Sequence, residues 1–201
     1  MDMTETAVPE GALPIAPFRA HLRLGTGFAD ELSGDAALAG YLRAAMAVIE
    51  GRTGKAFLSR GFRLVLTRWR WPDAQALPVA PVMAVEGMAM RGHAGGVTPV
   101  APGRWRLVGD RHRPRIAAAG AVLPAIPPGG AVEIEFTAGF GAAWDSVPAD
   151  LTQAVFLLAA HYYEGRTGAG PELPASVAAL VARWSALRVT AGGHRAGAAS
   201  D

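Results

Sequence analysis

The segment Gly51-Arg52-Thr53-Gly54-Lys55 comes nearest in this chain to a motif with known chemistry, the phosphate-binding loop. That motif requires a glycine where Ile49 stands, and a serine or threonine to hold magnesium where Ala56 stands. The segment also follows a predicted helix, whereas a phosphate-binding loop follows a strand. We therefore interpret it as a glycine-rich helix end, and we predict no nucleotide cofactor.

The other residues that could do chemistry are scattered. Five histidines are present, and no two lie three or four residues apart on one helix, so no metal-binding pair is visible: His21, His93, His112, His161 and His194. The run His161-Tyr162-Tyr163 is typical of a packing cluster. Glu133 and Glu135 share one face of a strand, which favours a solvated surface over paired acid–base groups. Cysteine is absent. We expect no catalytic, cofactor or metal site, and no enzyme.

Basic residues are concentrated in the middle of the chain. Six lie between Gly51 and Trp71 with no acidic residue among them, and a second group holds Arg104, Arg106, Arg111, Arg113 and Arg115. Eighteen of the nineteen basic residues are arginine. A GC-rich coding bias would produce this, and so would a surface that meets nucleic acid or an acidic protein.

The tryptophans add to the nucleic-acid interpretation without deciding it. Trp69 and Trp71 alternate with Arg68 and Arg70, and aromatic side chains beside arginine can stack on bases. Two tryptophans on one strand face usually belong to a core or a protein interface.

Composition predicts a folded chain. Of the 201 residues, 51% are hydrophobic and 18% are charged, which suits a core and argues against general disorder. The N-terminus is acidic, without the pattern of a signal peptide. No apolar run reaches the length of a membrane span. We expect a protein made in the cytoplasm with no membrane partner.

Hydrophobic spacing of three and four residues predicts helices over 17–24, 34–53, 148–165 and 174–188. Between them the period changes to two, most clearly at Val132–Thr137, and predicts an antiparallel β insert over 56–140. We expect flexible segments at 1–16 and 190–201, flanking one domain over 17–189. The predicted fold class is α+β, a small helical bundle from the N- and C-terminal helices with an inserted antiparallel β unit.

The order of these segments resembles the head–tail connector (adaptor) family of long-tailed phages, most closely the adaptors of bacterial gene transfer agent particles. The resemblance is carried by four stretches: Asp35–Lys55 (DAALAGYLRAAMAVIEGRTGK), Leu77–Val85 (LPVAPVMAV), Val132–Gly141 (VEIEFTAGFG) and Val147–Arg166 (VPADLTQAVFLLAAHYYEGR). Together they extend over about residues 18 to 190. The loop material between Gly92 and Gly130 has no counterpart that the resemblance explains.

The resemblance implies a structural role. Members of the family form a ring, commonly of twelve subunits, that docks on the portal and joins the DNA-filled capsid to the tail. The implied partners are the portal protein, neighbouring copies, a tail-side stopper or tail-completion protein, and DNA that passes through without sequence recognition.

The resemblance also suggests where those partners bind. The family's C-terminal segment commonly contacts the portal, and the candidates here are Arg183, Trp184, Arg188, His194 and Arg195. Candidates for inter-subunit or channel contacts are Arg52, Arg60, Arg63, Arg68 and Arg70. The implied location is the head–tail junction of a virion-like particle. The alternative function is a DNA-binding packaging or regulatory protein.

Overall fold

A computed structural model describes residues 1–24, 31–165 and 173–185. Its strands are β1 Asp2–Glu5, β2 Arg60–Leu66, β3 Ala74–Ala76, β4 Val82–Arg91, β5 Val97–Pro99, β6 Trp105–Val108, β7 Arg115–Ala118 and β8 Ala131–Ala138. Its α-helices are α1 Ile15–His21, α2 Glu31–Thr53, α3 Ala149–Glu164 and α4 Ala175–Val181. Short 3-10 turns occur at Glu10–Ala12, Pro102–Arg104, Trp144–Ser146 and Ala182–Trp184.

The predicted fold class, a helical bundle with an inserted β unit, is wrong. The described chain is a mixed fold with eight strands in two antiparallel sheets, and β1 precedes every helix while pairing with β2. The β structure is therefore not an insert between helices. In addition, α1 and α4 have only seven residues each, fewer than a bundle helix normally needs.

The larger sheet has the strand order β1-β2-β8-β4-β5, and the smaller sheet has the order β3-β7-β6. Strict alternation in β8 places Val132, Ile134 and Phe136 inward, as period-two spacing predicts. Phe62 of β2 lies directly opposite Phe136, and the two rings stack with centroids 5.4 Å apart. Cross-strand pairs of this kind fix the register of a sheet.

Both sheets contribute to one hydrophobic core. Ile116 and Ala118 of the smaller sheet pack in the same buried cluster as Leu64, Met88 and Ile134 of the larger one. A second cluster is formed by the helices, mainly α2 and α3, with Phe57 and Leu58. The remaining face of each sheet consequently points away from the shared β core.

The turn after β8 depends on glycine. Gly139 has φ +141°, a conformation that side chains rarely adopt, and a Cβ there would lie 2.5 Å from the backbone of Ser59. This close approach joins the end of β8 to the segment before β2, where the Ser59 amide donates to the Gly141 carbonyl at 2.8 Å. The Ala-Gly-Phe-Gly sequence is thus explained by backbone packing.

The helix predicted over 34–53 lies within α2, and the one predicted over 148–165 spans α3. Residues 17–24 overlap α1, which begins earlier, and residues 174–188 begin with α4 and a 3-10 turn. The segment 1–16, predicted as a flexible arm, contains β1 and the turn at Glu10–Ala12. The segment 190–201 lies outside the described residues.

Replacing Leu158 with aspartate should unfold the helical layer. Leu158 of α3 is 1% exposed, and an unpaired carboxylate there would add to the loss of apolar contacts, for a total above about 3 kcal/mol. Gln153→Asp, at an exposed position of the same helix, is the matched control and should change the free energy of unfolding little. Equal urea midpoints for the two variants would contradict the assignment of this helix face.

Candidate assembly surfaces

Arg60, one of the five arginines predicted for inter-subunit or channel contacts, is used inside the subunit. Its guanidinium donates to Glu50 through two nitrogens, at 3.0 and 2.8 Å, and to Glu5 at 2.9 Å. The Arg60 side chain is 7% exposed. Although burial opposes it, hydrogen bonding to Glu50 and then Glu5 raises the pKa of Arg60. This arginine joins β1, β2 and α2 and is not available to a partner.

Arg63 lies on the opposite side of the same strand. Its guanidinium donates to Glu133 at 2.5 Å, and Arg91 donates to the other Glu133 oxygen at 2.6 Å. The hydrogen bond from Arg63, followed by that from Arg91, holds the pKa of Glu133 below its ordinary value against the cost of burial. Glu133 therefore acts as a cross-strand ion-pair centre and not as an acid–base group.

Arg52, Arg68 and Arg70 are exposed and form no salt bridge within the described part of the chain. Arg68 and Arg70 line an open cleft of about 560 Å³ together with Trp71. Trp71 is 58% exposed, and the Arg70 guanidinium lies 5.9 Å from its ring centroid.

Trp69 and Trp71 lie in different environments. The Trp69 indole donates to the Pro124 carbonyl at 2.8 Å and packs against the β core. It is therefore a structural residue, and Trp71 is the one that solvent or a partner can reach.

The glycine-rich segment after α2 is a helix end, as interpreted from the sequence. Gly54 adopts φ 65°, the left-handed conformation that closes helices. Lys55, which follows it, is 2% exposed and donates to the Arg111 carbonyl at 2.8 Å. Burial lowers the pKa of the Lys55 ammonium. Lys55 thus ties α2 to the turn between β6 and β7, and no phosphate-binding geometry results.

At the C-terminal end of the described chain, Asp150 holds Arg183 and Trp184. One Asp150 oxygen accepts from the Arg183 guanidinium at 2.7 Å and from the Trp184 indole at 2.5 Å. Despite the opposing effect of burial, these two bonds lower the pKa of Asp150. Trp184 is 3% exposed, with its ring against Phe140.

The structure describes two of the five residues predicted to contact the portal. Arg183 and Trp184 both contact their own subunit, whereas Arg188, His194 and Arg195 lie outside the described residues. The portal role of all five stays a prediction.

The described residues do not form a metal site or a membrane-spanning helix. Across residues 1–24, 31–165 and 173–185, no three His, Asp or Glu side chains are grouped to hold a metal ion. No helix in the same ranges is long and apolar enough to cross a membrane. Burial lowers the pKa of His112, whose ring lies 5.8 Å from that of Trp184.

Comparison with known proteins decides the family. A chain in the neck of an empty gene transfer agent particle, reconstructed with C6 symmetry, is 62% identical, with a TM-score of 0.88. The match covers 96% of this chain and 99% of that one. This chain belongs to the neck proteins of gene transfer agents. The resemblance to gene transfer agent adaptors found in the sequence is thereby confirmed.

Two further structures agree with this family. A chain of the native gene transfer agent virion is 61% identical with a TM-score of 0.86. A chain in the neck of the native particle, reconstructed with C12 symmetry, is 56% identical with a TM-score of 0.84. Each match covers 96% of this chain and 99% of the other. No protein-family model matches the chain, and the search of curated proteins found no match.

Membership in this family makes the chain a structural component of a particle neck, and neck components are not typically enzymes. The cyclic symmetry of the reconstructed necks implies assembly of repeated copies. The exposed charges of a neck protein are therefore candidates for contacts within the assembly.

Sequence reasoning missed the internal roles of Arg60 and Lys55. Glu5 and Arg111, which bind them, lie more than 50 residues away. Glu50, the nearer partner of Arg60, is only ten residues away, but it lies on a helix while Arg60 lies on a strand. One signal was available for Arg60. Arg60 is an even number of residues from Phe62 and Leu64, so it lies on the same inward face of β2 as they do. Arg63 lies on the other face of the strand.

Replacing Arg60 with glutamine should destabilise the fold by about 3 kcal/mol, because it leaves the carboxylate of Glu50 partly buried without its cation. Arg63→Gln, on the outer face of the same strand, should lower the free energy of unfolding by less than about 1 kcal/mol. Urea denaturation of both variants measures the difference. Equal losses would show that the Arg60 site does not hold the fold together as described.

Proposed function

We propose that this protein is a head–tail connector (adaptor) subunit. Copies form a ring, of twelve subunits in the complete neck, that docks on the portal and links the DNA-containing capsid to the tail. The observation that carries the proposal is the likeness to gene transfer agent neck chains over 96% of this chain and 99% of theirs. A likeness of that extent covers nearly the full length of both chains and not one shared domain.

The proposed partners follow from the position of such a ring. The portal lies on the capsid side, a stopper or tail-completion protein lies on the tail side, and neighbouring copies lie to either side. DNA passes through the ring, and any contact with it is to the backbone and carries no sequence recognition. The protein is made in the bacterial cytoplasm and acts at the head–tail junction.

We assign portal contact to the C-terminal segment. Asp150 fixes Arg183 and Trp184 against the start of α3, so these two residues set where the final segment leaves the subunit. Arg188, His194 and Arg195 would then contact the portal directly, since charge-assisted arginine pairs can offset the entropy of ordering a segment.

Deleting the gene in a strain that makes the particles should leave DNA-filled heads without tails, and expression of the full chain should restore tails. A chain lacking residues 190–201 should fold with unchanged melting yet fail to join particles. The double variant His194→Ser, Arg195→Ser keeps the length of the segment and tests its charges. Electron microscopy and particle composition measure the result.

The possible failures are separable. Normally tailed particles in the deletion strain would contradict the connector function. Normal incorporation of the truncated chain, with tails attached, would contradict the C-terminal anchor while leaving the connector function standing.

A further inference from the structure

The outer face of the smaller sheet is basic. Arg106 of β6 lies directly opposite Ala117 of β7, and Arg115 is two residues from Ala117, so both arginines are on the face that points away from the core. Both are exposed, and neither forms a salt bridge within the described residues. The described residues of this face are Ala74, Ala76, Arg106, Val108, Arg115 and Ala117, a set without an acid. We call it the basic face.

The outer face of the larger sheet carries two exposed acids that form no salt bridge in the described ranges, Glu86 and Glu135. Glu86 accepts a hydrogen bond from the Thr137 hydroxyl at 2.7 Å. Glu135 of β8 lies directly opposite Gly87, the residue after Glu86. Both are exposed and lack a salt bridge in the described ranges, unlike Glu133. They line a groove of about 330 Å³ with Thr4 of β1 and with Arg63 of β2, whose guanidinium is bound to Glu133. We call this region the acidic groove.

The two surfaces point away from one core. Ile116, from the strand that carries Arg115, packs in the same buried cluster as Phe136, from the strand that carries Glu135. In two sheets packed face to face, the outer faces are on opposite sides. A basic surface and an acidic surface on opposite sides of one subunit are suited to a head-to-tail contact, in which each copy meets the next through different faces.

We propose that the basic face of one subunit docks on the acidic groove of the next copy, so that this contact closes the ring. The inference rests on the proposed ring, and on the cyclic symmetry of the necks in which similar chains occur. Arg106 and Arg115 of one copy pair with Glu86 and Glu135 of its neighbour.

Side-chain size allows the approach. Alanines separate the arginines on the basic face, and Gly87 lies directly opposite Glu135 on the larger sheet. A Cβ added at Gly87 would meet no atom within 4 Å, so open space lies above this part of the sheet. Long arginine side chains can therefore reach the carboxylates without a clash between the two sheets.

The absence of native cysteine makes disulfide trapping a direct test. The double variant Ala117→Cys, Gly87→Cys places one thiol on each surface and leaves all four charges intact. Oxidation of the concentrated full chain should give a ladder of disulfide-linked dimers, trimers and larger species. The control is Arg43→Cys, Gly87→Cys, which places one thiol on the exposed face of α2. Its yield of disulfide-linked oligomers should be lower by at least about tenfold. A ladder no stronger than the control's would overturn the proposal.

Charge reversal tests the pairing itself. With the cysteine pair present, Arg106→Glu, Arg115→Glu and Glu86→Arg, Glu135→Arg should each lower ladder yield at least about tenfold, since like charges then oppose each other. An equal mixture of the two should recover the yield, because each reversed face then meets a complementary one. The double variant Arg23→Glu, Arg43→Glu is the control for net charge, because both residues are exposed and belong to the helical part of the subunit. It should leave the ladder yield unchanged.

Two results would count against the contact. Loss of the ladder without recovery on mixing would show that Arg106 and Arg115 do not pair with Glu86 and Glu135 of the next copy. An unchanged ladder yield in both charge-reversed variants would show that these four charges do not lie at the interface. Because the trapping uses purified protein, it separates failure of this contact from failure of the connector function, which the gene deletion tests.

Discussion

The buried guanidinium of Arg60 is the interaction on which the arrangement of this protein depends. It joins Glu5 of the edge strand β1, Glu50 of the long helix and its own strand β2, which lies between β1 and the central strand β8. Glu50 also accepts the backbone amide of Phe57 at 2.7 Å, so the carboxylate fixes the link between helix and sheet as well. With the link from Lys55 to the Arg111 carbonyl, the end of α2 is tied to both sheets. The outer faces of the two sheets point away from the hydrophobic core that the sheets share, and these contacts hold the long helix to that pair of sheets.

The five arginines that lie within the strands divide into two groups. Arg60, Arg63 and Arg91 neutralise carboxylates of their own subunit. Arg106 and Arg115 lie on an outward face whose described residues include no acid, and their mutual repulsion opposes folding of an isolated subunit. In a neck built from repeated copies, a neighbouring acidic surface would relieve that repulsion. A GC-rich coding bias can explain why the cations are arginine, but it does not explain why the strand arginines of the larger sheet have acidic partners and those of the smaller sheet have none within the described residues.

The sequence predicted some features of the fold well and others poorly, for physical reasons. The long helix and α3 carry strong three- and four-residue spacing, and β8 alternates strictly, so local patterns sufficed for them. Strand β1 has four exposed residues and no alternation to detect, since its place depends on pairing with β2. The strands of the smaller sheet have three or four residues each. The helical-bundle prediction failed because these short segments, and not the helices, complete the architecture.

A reconstruction of the neck of particles containing this protein, calculated without imposed symmetry, tests the central claim most directly. The account predicts a closed ring of copies between the portal vertex and the tail, with the smaller sheet of each subunit against the larger sheet of its neighbour. Absence of the chain from the head–tail junction, or its presence without a ring of copies, would contradict the account.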